Sequence, residues 1–469
     1  MKKHNLFPIF VFFLGAMTLC YGQFFPYAVQ KKTLENGMDV LVIETPEFKD
    51  VLSYNTLVMA GARNEIEKGK TGLAHLFEHI LFRHRWKGMP NGYDEAIQEM
   101  GAFNNAWTFF DVTYYHPLTF ASNLKPEGNR PGLAQLEADR FKNLSFTEDI
   151  FKTEAGAVLG EYRRIASDPG LQMDERLLAL LFPDHSYGHS TIGYLEDVED
   201  MPNEYQAALE FYQTYYRPNN IVLVVTGDVE AEQIFALAQE LYGDWKPADL
   251  AAIPEPGPVG GPKKEHVAWA ADVPPRISYS YRMPAFDPSS RESGVAELLP
   301  ELLAGETAPL FQKLRYEKKT ASALSLYSVH YESFAPRLLE VAATLFKDQY
   351  DEKGEDYLND VISDINASFH DLSRFSQIPN AEKTLEELKR KYRYDLLAAL
   401  NSPSNIAEIF ALLYRFNRNP RVFDTLIAGI ESVTPAHVET FAKNYFTEDR
   451  RVIVTMAPAG AGTEGARNE

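Results

Sequence analysis

Residues 71–82 hold two histidines and a glutamate inside an otherwise apolar run, and this combination restricts the fold more than any other part of the chain. His75 and His79 are four residues apart, so on a helix both imidazoles lie on one face and reach a common point. Glu78 directly precedes the second histidine. The neighbours are apolar almost all round, which predicts a buried helix. Buried imidazole and carboxylate groups need polar partners, and a bound metal ion supplies them better than an exposed salt bridge.

Two imidazoles with a carboxylate beside them suit hydrolysis at zinc. The metal acidifies a water molecule, and the carboxylate takes the proton. The order H-x-x-E-H reverses the commoner H-E-x-x-H and is the inverted zincin signature. Five residues alone are a weak signal, so the prediction needs a third ligand and a matching context.

A candidate for the third ligand lies on a later segment, residues 147–164. It is predicted to be a helix that Thr147 caps, with acidic residues in its first turn. Glu154, Val158 and Glu161 are spaced to form one stripe on this helix. Taken alone, the stripe fits a solvated acidic face better than a metal site.

The interval between the two segments changes this balance. There are 74 residues between His79 and Glu154. An H-x-x-E-H motif that is followed by a glutamate at such a distance resembles the signature of the pitrilysin family of zinc peptidases. That family includes insulin-degrading enzyme and the mitochondrial processing peptidase. The likeness is dense from about residue 30 to 245 and thinner to about 457. It rests also on residues 101–108, 111–115, 136–140, 182–188, 192–197 and 216–228.

The resemblance implies a site of defined composition. One Zn²⁺ per chain would be bound by His75, His79 and Glu154, with Glu78 as the catalytic base. Glu161 would not contact the metal but would orient a ligand histidine.

Peptide binding is expected beside this site. Strand 111–118, preceded by Asn105 and Ala106, offers an edge on which an extended peptide can add as a strand. Family members bind substrate near this Asn-Ala step, although a simple turn explains the asparagine equally well.

A second substrate element of the family is incomplete in this sequence. Residues 314–322 resemble its segment in which an arginine, and a tyrosine seven residues later, contact the peptide and its oxyanion. Arg315 is present, but Ser322 stands where the tyrosine is expected, and Tyr327 or Tyr331 could replace it. The resemblance therefore implies a homodimer, or a heterodimer with a homologous subunit that carries the arginine–tyrosine pair.

The chain is long enough for two domains, and its second half repeats the plan of the first without an H-x-x-E-H motif. The predicted fold is α+β, with two tandem homologous domains, each an antiparallel-rich sheet backed by helices. The predicted division is a signal peptide (1–22), a zinc-bearing domain (23–245), a Pro/Gly/Ala-rich linker (246–264), a degenerate peptidase-like domain (265–457) and a disordered tail (458–469).

The first residues predict export. Lys2 and Lys3 precede an apolar run that ends at Leu19, and cleavage is expected after Gly22. The single cysteine, Cys20, lies in this segment, and a lipoprotein anchor is disfavoured because Leu19 precedes it. A mature chain without cysteine fits the periplasm of a Gram-negative bacterium.

The net charge of −20 argues against a nucleic-acid partner and favours cationic or neutral peptides. No stable membrane span is expected. The leading hypothesis is a secreted zinc endopeptidase that hydrolyses peptides or unfolded segments. The alternative is a non-catalytic subunit that binds peptides or supports an assembly.

Overall fold

In the computed structural model, residues 23–88, 92–250, 252–328 and 337–459 are described. The predicted signal peptide with Cys20, Tyr331 and most of the predicted tail lie outside these residues. Among the described residues, no helix combines the length and the apolar character needed to cross a membrane.

The first half of the chain alternates strands with helices that cover them. Its elements are β1 (Val29–Thr33), β2 (Asp39–Glu44), β3 (Val51–Val58), α1 (Leu73–Phe82), α2 (Gly92–Glu99), β4 (Ala106–Thr108), β5 (Thr113–Tyr115), β6 (Leu118–Phe120), α3 (Leu133–Lys142), α4 (Glu148–Ile165), α5 (Pro169–Leu181), α6 (Leu195–Asp200), α7 (Tyr205–Tyr215), β7 (Ile221–Gly227) and α8 (Ala231–Tyr242). The predicted strand 111–118 is two strands, because Pro117 between them lacks the N–H that a continuous ladder needs.

The second half follows the same plan. Its elements are β8 (Lys263–Trp269), β9 (Arg276–Arg282), α9 (Arg291–Ala304), α10 (Pro309–Gln312), β10 (Ala321–Ser328), β11 (Leu338–Leu345), α11 (Lys347–Lys353), α12 (Glu355–Leu372), α13 (Ala381–Ala399), α14 (Pro403–Tyr414), α15 (Val422–Glu431), α16 (Pro435–Tyr445) and β12 (Arg451–Pro458). β8 begins inside the predicted linker, and β12 includes the first residue of the predicted tail.

The two sheets have the same strand order. The first runs β1-β2-β7-β3-β5-β4, with β6 also paired to β3, and the second runs β10-β11-β9-β12-β8. The first sheet has two strands, β1 and β6, that have no counterpart in the second. Among the matching strands of each sheet, one pair is parallel, β2 with β7 in the first sheet and β8 with β12 in the second, and the other pairs are antiparallel. The predicted α+β fold of two tandem homologous domains is confirmed.

Each domain also contributes a helix to the outer face of the other domain's sheet. α14 of the second domain packs on β3 and β7, and α5 of the first domain packs on β12, β9 and β8. Both faces of β2 are therefore buried: Val40 and Val42 face the helices of their own domain, and Leu41 and Ile43 join the core of the second domain. The sequence of a strand that is buried on both faces is a continuous apolar run rather than an alternation of apolar and polar residues.

Candidate active site

The helix that carries the H-x-x-E-H motif, α1, is fixed at its N-terminus by a buried carboxylate. Glu65 accepts hydrogen bonds from the backbone N–H groups of Gly72 (2.8 Å) and Ala74 (2.7 Å). Gly72 has φ of +89°, and a Cβ atom there would lie 2.5 Å from the carbonyl oxygen of Ile192. Six of the seven apolar side chains of α1 are buried as predicted and Phe82 is half-buried, which leaves the histidines and Glu78 facing α4 and a cavity.

Three potential metal ligands come together between α1 and α4. The Oε2 atom of Glu161 lies 3.6 Å from Nε2 of His75 and 3.8 Å from Nε2 of His79. Two ligands bound to one zinc ion at about 2.0–2.1 Å in tetrahedral geometry are roughly 3.4 Å apart. The donor set and its spacing therefore fit zinc, and among the described residues this is the one such group of three.

Glu154 occupies a different position. Its Oε2 atom lies 3.5 Å from Nδ1 of His79, and its Oε1 atom accepts a hydrogen bond of 2.8 Å from Nε of Arg83. Glu161 follows Glu154 by seven positions, a rise of about 10.5 Å along a helix, so the two carboxylates approach α1 from different points and meet opposite sides of the His79 ring. This geometry favours Glu161 as the third ligand and Glu154 as the supporting carboxylate, whereas the resemblance implies the opposite roles.

The charges around His79 suit a ligand histidine with a supporting carboxylate. The interaction with Glu154 raises the pKa of His79, against the effect of burial. Burial alone would raise the pKa of Glu154, but His79 and Arg83 lower it overall. A carboxylate at Nδ1 favours the tautomer that leaves Nε2 free for a metal.

His75 is more deeply enclosed. Burial, with the nearby charge of His79, lowers the pKa of His75 to about 4. Its ring is therefore neutral at pH 7, the form that binds a metal.

Glu78 is held by a residue of the neighbouring strand. Thr108 on β4 donates a hydrogen bond of 2.7 Å from Oγ1 to Oε2 of Glu78. Burial raises the pKa of Glu78, while the bond from Thr108 and the charge of His79 offset part of that effect. Nothing in the sequence spacing singled out Thr108, because it lies 30 residues from Glu78 and meets it only through the fold.

The site opens into a cavity of about 760 Å³ between the two domains. His75, Glu78 and Glu161 line it on one side, and residues of β9, β10 and β11 line it on the other. Two further carboxylates, Asp174 on α5 and Glu340 on β11, also face this space. Burial raises the pKa of Asp174 to about 7, and the charge of Glu340 adds to the shift. Sequence analysis missed both residues, since they come from different domains.

The expected peptide-binding residues lie at the end of the first sheet. Ala106 begins β4, the last strand in the pairing order, and Asn105 directly precedes it. The following residues of this edge, Trp107 and Thr108, line the cavity, whereas Asn105 and Ala106 do not.

Arg315 does not have the position that the resemblance implied. It lies in a π-helical turn, Lys313–Glu317, and its Nη1 atom donates hydrogen bonds to the carbonyl oxygens of Ala321 and Ser322. The Ser322 hydroxyl binds the carbonyl oxygen of Thr344. Neither side chain lines the cavity, and the described side chains of β10 that do line it are Ala323 and Ser325. The predicted contact of Arg315 with substrate is thus not supported. The side chain of Tyr327 is not among those described.

Comparison with known proteins agrees with this architecture. A family model described as "Insulinase (Peptidase family M16)" matches residues 19–194, and one described as "Peptidase M16 inactive domain" matches residues 204–390. The chain is 26% identical over 393 residues to the "Zinc protease PqqE" of Helicobacter pylori, covering 81% of this chain and 82% of that protein. It is 26% identical over 185 residues to the human "Mitochondrial-processing peptidase subunit beta", covering 39% of this chain and 36% of that protein.

A solved structure shares the fold. "The crystal structure of a protease from Helicobacter pylori" superposes with a TM-score of 0.81 at 22% identity, covering 92% of this chain and all of that one. The two family models follow one another along the chain, as the two domains do. The chain therefore belongs to the M16, or pitrilysin, family of zinc metallopeptidases.

Proposed function

We propose that this chain is a secreted zinc endopeptidase that hydrolyses peptides or unfolded protein segments. The observation that carries the proposal is the meeting of His75, His79 and Glu161 at the wall of a large cavity, with Glu78 beside them. A solvated acidic face would not bring one carboxylate oxygen within 3.8 Å of two imidazole nitrogens on a buried helix.

The proposed ligands of one Zn²⁺ are His75, His79 and Glu161, and Glu154 orients His79 from behind. A zinc ion held by these residues would acidify water and polarise a peptide carbonyl group. The carboxylate of Glu154, which is bound by Arg83, keeps the Nε2 side of His79 directed toward Glu161.

Glu78 is the proposed general base. It faces the cavity, and its raised pKa brings its proton affinity closer to what proton transfer near pH 7 needs. In this role it takes a proton from the attacking water and then gives it to the amine of the leaving peptide. The Thr108 hydroxyl binds one oxygen of the carboxylate and leaves the other to accept the proton.

The cavity supports an extended peptide as substrate. The edge of β4 offers backbone groups to a strand that adds beside it, and Asn105 and Ala106 would contact the part of the peptide outside the cavity. Four carboxylates, those of Glu78, Glu161, Asp174 and Glu340, line the space together with the cation Arg276. Asp174 and Glu340 are not among the proposed metal ligands, so a basic side chain of the peptide would be favoured over an acidic one beside these two carboxylates.

Export and assembly belong to the same proposal. The first 22 residues have the pattern of a cleaved signal peptide, so the exported chain would begin at Gln23. N-terminal sequencing of the exported protein tests this, and an unprocessed Met1 terminus would contradict it. Association with a second copy or a homologous subunit would complete the site, as the name of the processing-peptidase subunit suggests for that relative.

The test of the activity separates metal binding from catalysis. Purified chain should contain about one zinc per molecule and cleave unstructured peptides, with activity lost in chelator and restored by zinc. Glu78→Gln should keep the zinc and lose turnover, since the base is removed and the ligands remain. If the wild-type chain and its assemblies bind zinc and peptide without cleavage, the chain is instead a peptide-binding subunit.

A further inference from the structure

The strand that borders the proposed site, β4, has weak support from its own sheet. It is three residues long, and in the described part of the chain it pairs with β5 alone, through Ala106, Trp107 and Thr108. So short an edge strand has few backbone hydrogen bonds to resist fraying. Its side chains must therefore supply much of what holds it in place.

Two side chains of β4 are anchored in opposite directions. Thr108 reaches toward α1 and binds Glu78 at 2.7 Å. The indole Nε1 of Trp107 donates a hydrogen bond of 3.2 Å to Oε1 of Glu408, which lies on α14 of the second domain. The Trp107 ring also packs on Tyr114 of β5, with 5.4 Å between ring centroids.

The helix that carries Glu408 is held by contacts with the first domain. α14 packs on β3 and β7 of the first domain, and its buried Phe410 and Leu413 belong to the core that the domains share. Hydrogen bonds tie both ends: the hydroxyl groups of Ser404 and Ser53 are 3.2 Å apart, and the Tyr414 hydroxyl donates to Asp39 at 2.8 Å. Glu408 lies between these ties.

We propose that Glu408 is a positioning residue through which the second domain, which contributes none of the proposed metal ligands, holds β4 in register beside the catalytic helix. Its bond to Trp107 fixes the strand, and the strand in turn presents Thr108 to Glu78 and an edge to the peptide. The predicted effect of Glu408 on catalysis rests on the proposed function, whereas its predicted effect on the local stability of β4 is independent of that function.

Three variants separate this role from a general effect on domain packing. Glu408→Leu removes the acceptor but keeps an apolar body of similar size, and Glu408→Gln keeps a carbonyl acceptor for the indole. Tyr414→Phe is the matched control, because it removes a buried interdomain hydrogen bond from the same helix at a distance from β4.

Two measurements are made on the full zinc-loaded chain. Hydrogen exchange, followed by mass spectrometry on peptides that contain residues 106–108, should be faster by about 10-fold or more in Glu408→Leu and unchanged in Tyr414→Phe. In peptide cleavage, kcat/KM should fall roughly 10-fold in Glu408→Leu, as for other residues that orient a site indirectly. Glu408→Gln should stay within about 2-fold of wild type, while Tyr414→Phe lowers only the thermal midpoint.

The outcomes are distinguishable. Unchanged exchange at β4 in Glu408→Leu would overturn the proposal whether or not the protein is a peptidase. Equal losses of kcat/KM in Glu408→Leu and Tyr414→Phe would assign the effect to domain packing and overturn it too. A wild-type protein that holds zinc but never cleaves, either alone or in its assemblies, would refute the proposed function, and the exchange measurement would still decide the role of Glu408.

Discussion

Glu154 and Glu161 lie on the same helix and face the same partner helix, yet they meet different atoms of His79. The side chain of Glu154 is 8% exposed and lies between Nδ1 of His79 and Arg83, whereas that of Glu161 is 34% exposed at the cavity, on the Nε2 side. A metal ligand needs an oxygen on the open side of the ring, and a supporting carboxylate needs to be behind it.

The two glutamates should therefore respond differently to substitution. Glu161→Gln is expected to abolish stoichiometric zinc binding, because a neutral amide is a poor ligand for the dication. Glu154→Gln should weaken zinc by roughly 10–100-fold, the usual effect of losing support for a ligand histidine. Competition with a chromophoric chelator measures both constants.

Glu148→Gln is the matched control, since Glu148 is an exposed residue of the same helix paired with Lys152. It should leave zinc affinity unchanged. A larger loss of zinc in Glu154→Gln than in Glu161→Gln would restore the assignment that the sequence suggested.

At the scale of elements, the N-terminus of α1 depends on one buried group. Glu65 is enclosed and binds two backbone N–H groups of the first turn. Burial raises the pKa of Glu65 to about 8, although the bonds from Ala74 and Gly72 oppose the shift, and the charge of Asp197 adds to it. His189 lies near the same carboxylate, with its Nε2 atom 3.7 Å from Oε2.

This raised pKa predicts a dependence of stability on pH. In the unfolded chain a glutamate has a pKa of about 4.3, so between about pH 4.3 and 8 the folded protein binds more protons at Glu65. Glu65 should therefore make its full contribution to the free energy of unfolding below about pH 4.3. This contribution should decrease as the pH rises from about 4.3 to 8.

Urea unfolding of the zinc-free chain at pH 5 and pH 8 measures the change, with Glu65→Gln as the reference. The wild-type advantage over the variant should shrink from pH 5 to pH 8, by an amount on the order of a few kcal/mol. An advantage that grows with pH would mean that the helix N-terminus, rather than burial, sets the pKa of Glu65.

At the scale of the whole molecule, both domains form walls of the cavity, but its described lining contains few arginine or tyrosine side chains that could donate a hydrogen bond to an oxyanion. Its lining residues, as far as the chain is described, include Arg276 and no tyrosine. Nη1 of Arg276 lies 3.4 Å from Oδ1 of Asp168, and Nη1 of Arg315 donates to the carbonyl oxygens of Ala321 and Ser322. Among its described residues, the second domain thus offers no tyrosine and only one cation, Arg276, to stabilise an oxyanion at the proposed site.

We therefore expect the isolated chain to cleave slowly. Loss of one oxyanion donor lowers the rate by about 10²–10³-fold in other enzymes. A homologous subunit with an arginine–tyrosine pair should therefore increase the rate of peptide cleavage by a similar factor. Specific activity measured over a range of chain concentrations, with and without such a subunit, tests the expectation.

Ser322→Tyr serves as the control and should give no gain, because residue 322 does not line the cavity. High activity at every concentration without a partner would contradict the need for association.

Much of the fold follows from local patterns. The apolar run around His75, the Thr147 cap and the Pro/Gly-rich stretch before β8 are short-range signals, and each predicted element near them is present. The duplication was visible because two segments of one chain repeat the same order of strands and helices. The main local error, a single strand over 111–118, arose at Pro117.

The sequence by itself determined that two histidines share one face of a buried helix, since a spacing of four residues has the same meaning on any helix. It also determined that two glutamates lie on one stripe of α4. Only the tertiary structure decided which glutamate meets the Nε2 atoms, because that depends on how far α4 is shifted along α1. The pairing of Thr108 with Glu78 and of Trp107 with Glu408 is tertiary for the same reason: contacts across 30 and 301 residues have no periodicity in the sequence to reveal them.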